Sequence, residues 1–387
     1  MTHAKAHLGL AVLAAAALLP AQTVRAYRSG GDQVRELGGS VTLSAPVRVE
    51  VQARWANLEL RGTTGPALRY QLRLRTSASP AASALLAAWP VQISQHLGVV
   101  TLVTGAPAFN SVAPIVATLS LEIPRTVRNV VARTTVGNIV ADQLWVPLVA
   151  ITRAGNIRAG ALNANLEALS GIGNIEVARA KRVLASTAGS IQVIQADGPA
   201  ELSTTGGEVS LRFARDSVHV TSAGGGIDIG TAQGPVVAYS EGGSIRLGSA
   251  AASAQLHTLG GNIVVDSAHE LRAATRSGDI EMRQLLGGVE AQTDSGRIQA
   301  VFAARARLAP SELAAQRGSL TVTVPPDLGA TVWAEIRAPE GHQIQAEYGG
   351  VAPLSGPGLV QARAVLNGGG PALRLLTVGS DILIHKP

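Results

Sequence analysis

From Val131 to Val322 apolar and polar positions follow one phrase that recurs eleven times. An apolar residue is followed two positions on by a small hydroxyl residue and three further on by a glycine. Apolar residues then stand two and four places after that glycine. The glycines are Gly137, Gly155, Gly173, Gly189, Gly207, Gly225, Gly243, Gly261, Gly278, Gly296 and Gly318, with gaps of 18, 18, 16, 18, 18, 18, 18, 17, 18 and 22 residues. Two places after them stand Ile139, Ile157, Ile175, Ile191, Val209, Ile227, Ile245, Ile263, Ile280, Ile298 and Leu320. The column four after runs from Ala141 to Val322, and the column five before runs from Ala132 through Leu184 to Leu313; both are apolar throughout. The column three before is Ser or Thr from Thr134 through Ser186 to Thr293, and ends in Ala315.

Spacing by two means strands whose alternate side chains point inward. Each unit therefore holds two short strands, one leading into the glycine and one leaving it. The glycine marks a corner where φ is free to be positive. A unit of this size cannot stand alone. Four buried side chains yield roughly 6–8 kcal/mol, while fixing each of its backbones costs about 1–2 kcal/mol. Stacking resolves the conflict, because each rung covers its neighbours. The expected fold is all-β: a parallel β-helix, or β-solenoid, with about 18 residues per rung. The general crossover rule favours a right-handed coil. At about 4.8 Å per rung, eleven rungs give a rod about 50 Å long. The hydroxyl column predicts a ladder, each side chain bonding its neighbour or the corner backbone.

The flanking segments follow the theme loosely. Val47–Arg61 reads as a degenerate first rung, and Tyr70–Arg75, Val91–Ser94, Val99–Val103 and Ile115–Ile123 read as strands. Pro80–Ala88 reads as one short helix with proline at its start. At the other end Leu373, Leu375, Thr377, Ser380, Ile382 and Ile384 keep rung spacing, with Ser380 in the glycine column, which makes a final rung. The chain thus divides into a leader (1–26), an N-terminal β-rich cap with one helix (27–130), the solenoid (131–324) and a C-terminal cap (325–387). In the leader, Lys5 precedes an apolar run, Leu8–Leu19, too short to span a bilayer. Val24-Arg25-Ala26 offers a small-residue cleavage site, with Ala21 as second choice. The mature protein is therefore expected in the periplasm, the cell envelope or outside the cell, with no transmembrane segment.

Early outward positions are apolar: Val131, Val149, Ile151, Leu169 and Val183. Later equivalents are mostly polar or small. Such a patch usually meets something, and the expectation is that residues 60–120 dock on it, a partner protein being the alternative.

Rungs of the type Thr-x-x-Gly-Asn-Ile, a strand ending in proline at Leu119–Pro124 and a closing Leu373–Ile382 stretch make the chain resemble the bacterial "putative adhesin" β-solenoid family, a domain of unknown function in envelope-associated proteins. The resemblance covers about residues 40–385. It implies an extracytoplasmic solenoid with an adhesive or envelope-related role, and no settled catalytic residues.

Composition narrows the chemistry. There is no cysteine, so disulfides, thiolate metal sites, a catalytic Cys and a lipoprotein anchor are excluded. The net charge of +6 comes almost entirely from arginine and reads as compositional bias. Glycosidase chemistry needs paired carboxylates, but the outward column three after the glycine places acids beside arginines instead, Arg158 by Glu176 and Asp228 by Arg246. Asp279 and Glu281 share one strand as a small acidic spot. Gly224–Asp228 matches a calcium β-roll only superficially, since the Asp does not recur. His219, His257 and His269 lack metal-ligand spacing. Export, and the lack of an aromatic-plus-basic platform, speak against nucleic acid. No catalytic residue, cofactor or metal is expected. The reading is an exported, non-enzymatic scaffold, adhesin-like or envelope-associated, whose partner is an envelope glycan or surface protein. The alternatives are a polysaccharide-binding or polysaccharide-processing β-helix and a self-assembling envelope element.

Overall fold

The computed structural model describes residues 22–43, 45–77, 80–105, 115–349 and 351–387. The apolar leader lies outside the described residues. The architecture is all-β, a long, mostly parallel and unclosed arrangement of strands. Among the described residues strand pairings form two ladders, which meet only where Ile245–Thr258 and Ile263–Ser277 run through a corner. Within each ladder the register follows the phrase: Ile139 lies beside Ile157, Ile157 beside Ile175, and Ala150 beside Ala168. The eleven residues of the Ile/Val/Leu column, Ile139 to Leu320, are all buried. They form one continuous apolar core with the columns on either side. Each such side chain contributes about 1.5–3 kcal/mol by burial.

The glycines are needed chiefly because they stack. A Cβ on Gly155 would stand 2.1 Å from the carbonyl oxygen of Gly137, and one on Gly243 would stand 2.1 Å from that of Gly225. Gly155 has a positive φ, but Gly243 does not, so conformational freedom is not the shared cause. The hydroxyls bond to the corner backbone, one rung back. Thr152 donates to Gly137 O (3.0 Å), Ser170 to Gly155 O (2.9 Å) and Thr258 to Gly243 O (2.8 Å). Beside them runs an asparagine ladder that the sequence reading missed. Asn57 Oδ1 accepts from the backbone N–H of Asn138, Asn138 Oδ1 from that of Asn156, and Asn156 Oδ1 from that of Asn174.

One rung departs from the expected register. Gly173 and Gly189 are two residues closer than their neighbours, and the loss is split between two places. Leu166 pairs with Val183, one residue sooner than the period requires. Thr187 then stands two residues, not three, before its glycine, and its hydroxyl accepts the N–H of Gly189. A slip of one residue turns every side chain over. Val183 is therefore inward and fully buried, and Leu184 faces outward beside Glu167. Thr187, not Ser186, takes the hydroxyl place and donates to Gly173 O at 2.5 Å.

Both ends are built out of chain order. We label β1 Thr23–Ser29, β2 Asp32–Thr42, β3 Arg48–Ala53, β4 Asn57–Thr63, β5 Ala67–Ser77, α1 Pro80–Ala88, β6 Val91–His96, β7 Val99–Thr104, β8 Ile115–Pro124, β9 Asn129–Val136 and β10 Ile139–Asp142. The β3–β4 rung lies between β9–β10 on one side and β7–β8 on the other, all parallel. Antiparallel strands finish the edges: β6 on β7, and β5, β2 and β1 in succession on β8. At the far end Ala372–Val378 and Ile382–His385 pair with Ser311–Ala315 and Leu320–Thr323 on one side. On the other side they meet Ala330–Arg337 and Ile344–Ala346. The closing rung is thus the last along the chain but not the outermost.

The described residues between 60 and 120 border the outer apolar patch at Pro90, Gln92 and Val103 but do not cover it as expected. β5 to β8 extend the ladders edge-on, and α1 sits at the end of the core, where Leu86 and Trp89 are buried. The Trp89 indole donates to Thr104 Oγ1 at 3.0 Å. The Arg35 guanidinium donates to the carbonyls of Leu86 and Ala87, satisfying the helix C-terminus with a cation.

Candidate functional site

The outward side chains of the β3–β9 ladder form rows along the stack. One row runs Val103, Gln52, Arg133, Ile151, Leu169, Ser186. Nearer the glycine corner, Arg54, Thr135, Arg153 and Gly171 follow on from the paired hydroxyl column. Together with Pro90 and Gln92 these residues line an open cleft of about 770 Å³. Ile151 and Leu169 are half-buried and give it an aliphatic floor. A Cβ on Gly171 would stand 2.5 Å from Arg153 O, so the floor beyond Leu169 carries no side chain.

The expected docking patch is thereby divided. Val131 is buried, Val149 is half-buried, Ile151 and Leu169 form the cleft floor, and Val183 belongs to the core. The cleft arginines went unnoticed in the sequence. Arg54 and Arg153 each stand two residues before the corner position, held by Ala56 and Gly155, and that shared offset is the signal that finds them.

Among the described residues the cleft holds three arginines, Arg54, Arg133 and Arg153, and no carboxylate lines it. All three are exposed, and among the described residues none of them makes an ion pair. The opposite ladder is different. There Arg69, Glu122, Arg61 and Asp142 lie side by side on successive strands, and Arg69 reaches Glu122 at 3.5 Å. A second open cleft of about 700 Å³ on that face is lined by both signs of charge.

Farther along, carboxylates are paired. Arg158 holds Glu176 at 2.5 Å. Arg246 lies beside Asp228 in register but forms its ion pair with Asp266, at 2.9 Å. The acidic spot is not a free pair of carboxyls. Asp279 accepts the backbone N–H of Arg297 at 2.7 Å and its guanidinium at 2.8 Å, which together hold its carboxyl below the usual range. Glu281 is bound by Arg283 at 2.8 Å. His219, His257 and His269 are exposed, and His257 stacks on Tyr239 with centroids 5.3 Å apart. Among the described residues no group of three or more His, Asp or Glu could hold a metal ion. No helix among them is long and apolar enough to cross a membrane.

No family model matches the chain, and no curated protein matches it. Solved structures do. One, described as a putative adhesin from Bacteroides fragilis, is 11% identical with a TM-score of 0.20, over 91% of this chain and 97% of the other. A putative cell adhesion protein from Clostridium sporogenes is 9% identical with a TM-score of 0.16, over 95% and 99%. A putative lipid binding protein from Parabacteroides distasonis is 8% identical with a TM-score of 0.20, over 92% and 97%. Likeness at these values does not bear on what the chain binds, but the adhesin name is the one that the rung pattern of the sequence resembles.

Proposed function

We propose that the chain is an exported, adhesin-like β-solenoid with about 18 residues per rung, right-handed by the crossover rule, that binds at its outer face and catalyses no reaction. The observation that supports this reading is the cleft over Ile151 and Leu169, an apolar floor flanked by arginines without counter-charges. Such a surface is costly to leave bare, because apolar area and unbalanced cations both gain from a partner. Export rests on Lys5 and the Leu8–Leu19 run. Within that reading, cleavage after Ala21 fits better than cleavage after Ala26. The strand β1 begins at Thr23, and the later cut would remove its pairings from Thr23–Gly38 to Ala26–Arg35.

The test is co-sedimentation of the protein from Gln22 onward with purified envelope material, at low and high salt. Binding that weakens with salt is the expected result, since exposed charges are screened. Absence of binding at both salts would overturn the reading.

A further inference from the structure

Resting on that binding reading, we propose that the cleft holds an acidic polysaccharide, gripped through its carboxylate or sulfate groups by Arg54, Arg133 and Arg153. Arg54 stands one residue past the end of β3, Arg133 on the neighbouring β9, and Arg153 on the strand after it, Leu148–Ala154. With rungs about 4.8 Å apart, Arg54 and Arg153 are separated along the stack by about 10 Å, with Arg133 between them in the adjacent row. The cations therefore form a zigzag along the rod, not a ring around one point. A zigzag suits a chain bearing anions at intervals. Like charges this close repel one another, and no described residue within the cleft neutralises them. Guanidinium forks match the paired oxygens of carboxylate and of sulfate.

The remaining lining fits sugars. Gln52, Gln92, Thr135 and Ser186 offer amides and hydroxyls to pair with sugar hydroxyls, and Ile151 and Leu169 present aliphatic surface to ring C–H faces. The cleft is open to solvent along its length, as a polymer requires. An acyl chain would gain more from an enclosed cavity. The opposite face supplies the internal control, since its arginines already lie beside carboxylates in the row from Arg69 to Asp142 and in the Arg158–Glu176 pair.

The experiment titrates the protein with polygalacturonate fragments, heparin fragments, uncharged dextran and phosphatidylglycerol vesicles, at two salt concentrations. The expected result is binding to at least one anionic glycan, weakened by salt, and none to dextran. Arg133→Gln/Arg153→Gln should weaken that binding about tenfold or more, equivalent to about 1.4 kcal/mol. Arg158→Gln on the opposite face should leave it within about twofold. Arg133→Lys/Arg153→Lys, which keeps the charge and loses the fork, should fall between the two and serves if the glutamine variant does not fold. Unchanged affinity in both double variants would overturn the proposal. So would binding to vesicles but to neither glycan, or binding to dextran equal to that of the acidic chains. The same variants are run against envelope material. Wild-type sedimentation that survives the double substitution sinks the polysaccharide and leaves the adhesin reading standing. Glycan binding without envelope sedimentation does the reverse.

Discussion

From Gly189 to Gly278 successive rungs repeat one set of contacts: glycine on glycine, apolar column on apolar column and, at Thr204, Ser240, Thr258 and Thr275, hydroxyl onto glycine carbonyl. At the two ends the set fails. Ala56 and Ser380 stand where glycine stood, and strands turn antiparallel. At the N-terminal end a helix seals the core, with Trp89 and Leu86 as its plug. The middle is held by translation, since each rung needs only a copy of itself. An end has no copy to lean on, so its apolar cross-section must be covered by something of different shape, and its open edges must be blunted. Hence the middle is periodic and the ends are not.

The sharpest way to break this comparison is to charge the middle. Ile245→Asp or Ile263→Asp buries an unpaired carboxylate between rungs. Each should abolish soluble folded protein, as judged by circular dichroism and sedimentation. Retention of a folded monomer would mean that the column is not inward. Trp89→Ala should cost about 3–5 kcal/mol, and hydrogen exchange should report the loss at β5 to β8 while amides beyond Gly189 stay protected. Uniform loss of protection along the rod would show that end and middle unfold as one unit. Thr258→Val removes one buried hydroxyl that donates to Gly243 and accepts from Gly261. It should lower the free energy of unfolding, measured by denaturant titration, by about 1–3 kcal/mol, whereas Ser120→Ala, an exposed hydroxyl near the end, should be nearly silent. Arg246→Ala breaks an exposed pair and should cost under about 1 kcal/mol.

The smallest effect is one of pH. Arg297 lowers the folded pKa of Asp279, so the group adds stability that is fully present above the unfolded carboxylate value of about 3.9 and is lost as pH falls through the lower folded value. Asp279→Asn should therefore be less stable than wild type near neutrality, and the two curves should converge at strongly acid pH. Parallel curves across the acid range would remove Arg297 as the cause.

What could be read beforehand follows the same division. Gly155, Ile157 and Ser170 could be placed because eighteen-residue spacing repeats them many times over, and repetition averages out local noise. The short rung defeated that reading at Val183, Leu184 and Ser186, because a count between glycines gives the length lost and not where it was lost. The role of the glycines was legible only in part: Gly137, Gly155, Gly173, Gly296 and Gly318 do take a positive φ, but a single strand shows only its own φ and not the carbonyl one rung below that all eleven meet. At the ends, the strands around Tyr70, Val99 and Ile115 were visible from their alternation, but their neighbours in space were not, because spatial order there departs from chain order. The cleft was hidden for a related reason. Arg54, Arg133 and Arg153 lie far apart along the chain, and the β3–β9 pairing is what joins the first to the others.

The placement of Ala372–Val378 and Ile382–His385 makes these strands a keystone. Ala330–Arg337 and Ile344–Ala346 reach past an empty slot, and the final stretch of the chain fills it from both sides. Shortening an ordinary stack by one repeat exposes a fresh surface like the one removed. Trimming this chain from its C-terminus opens a gap in mid-wall, with the outermost rung left attached only by its tether. That end can therefore close only once residues 372–387 are in place, and a protease that nicks the 351–358 connection leaves the keystone seated while one that removes 372–387 undoes the end entirely.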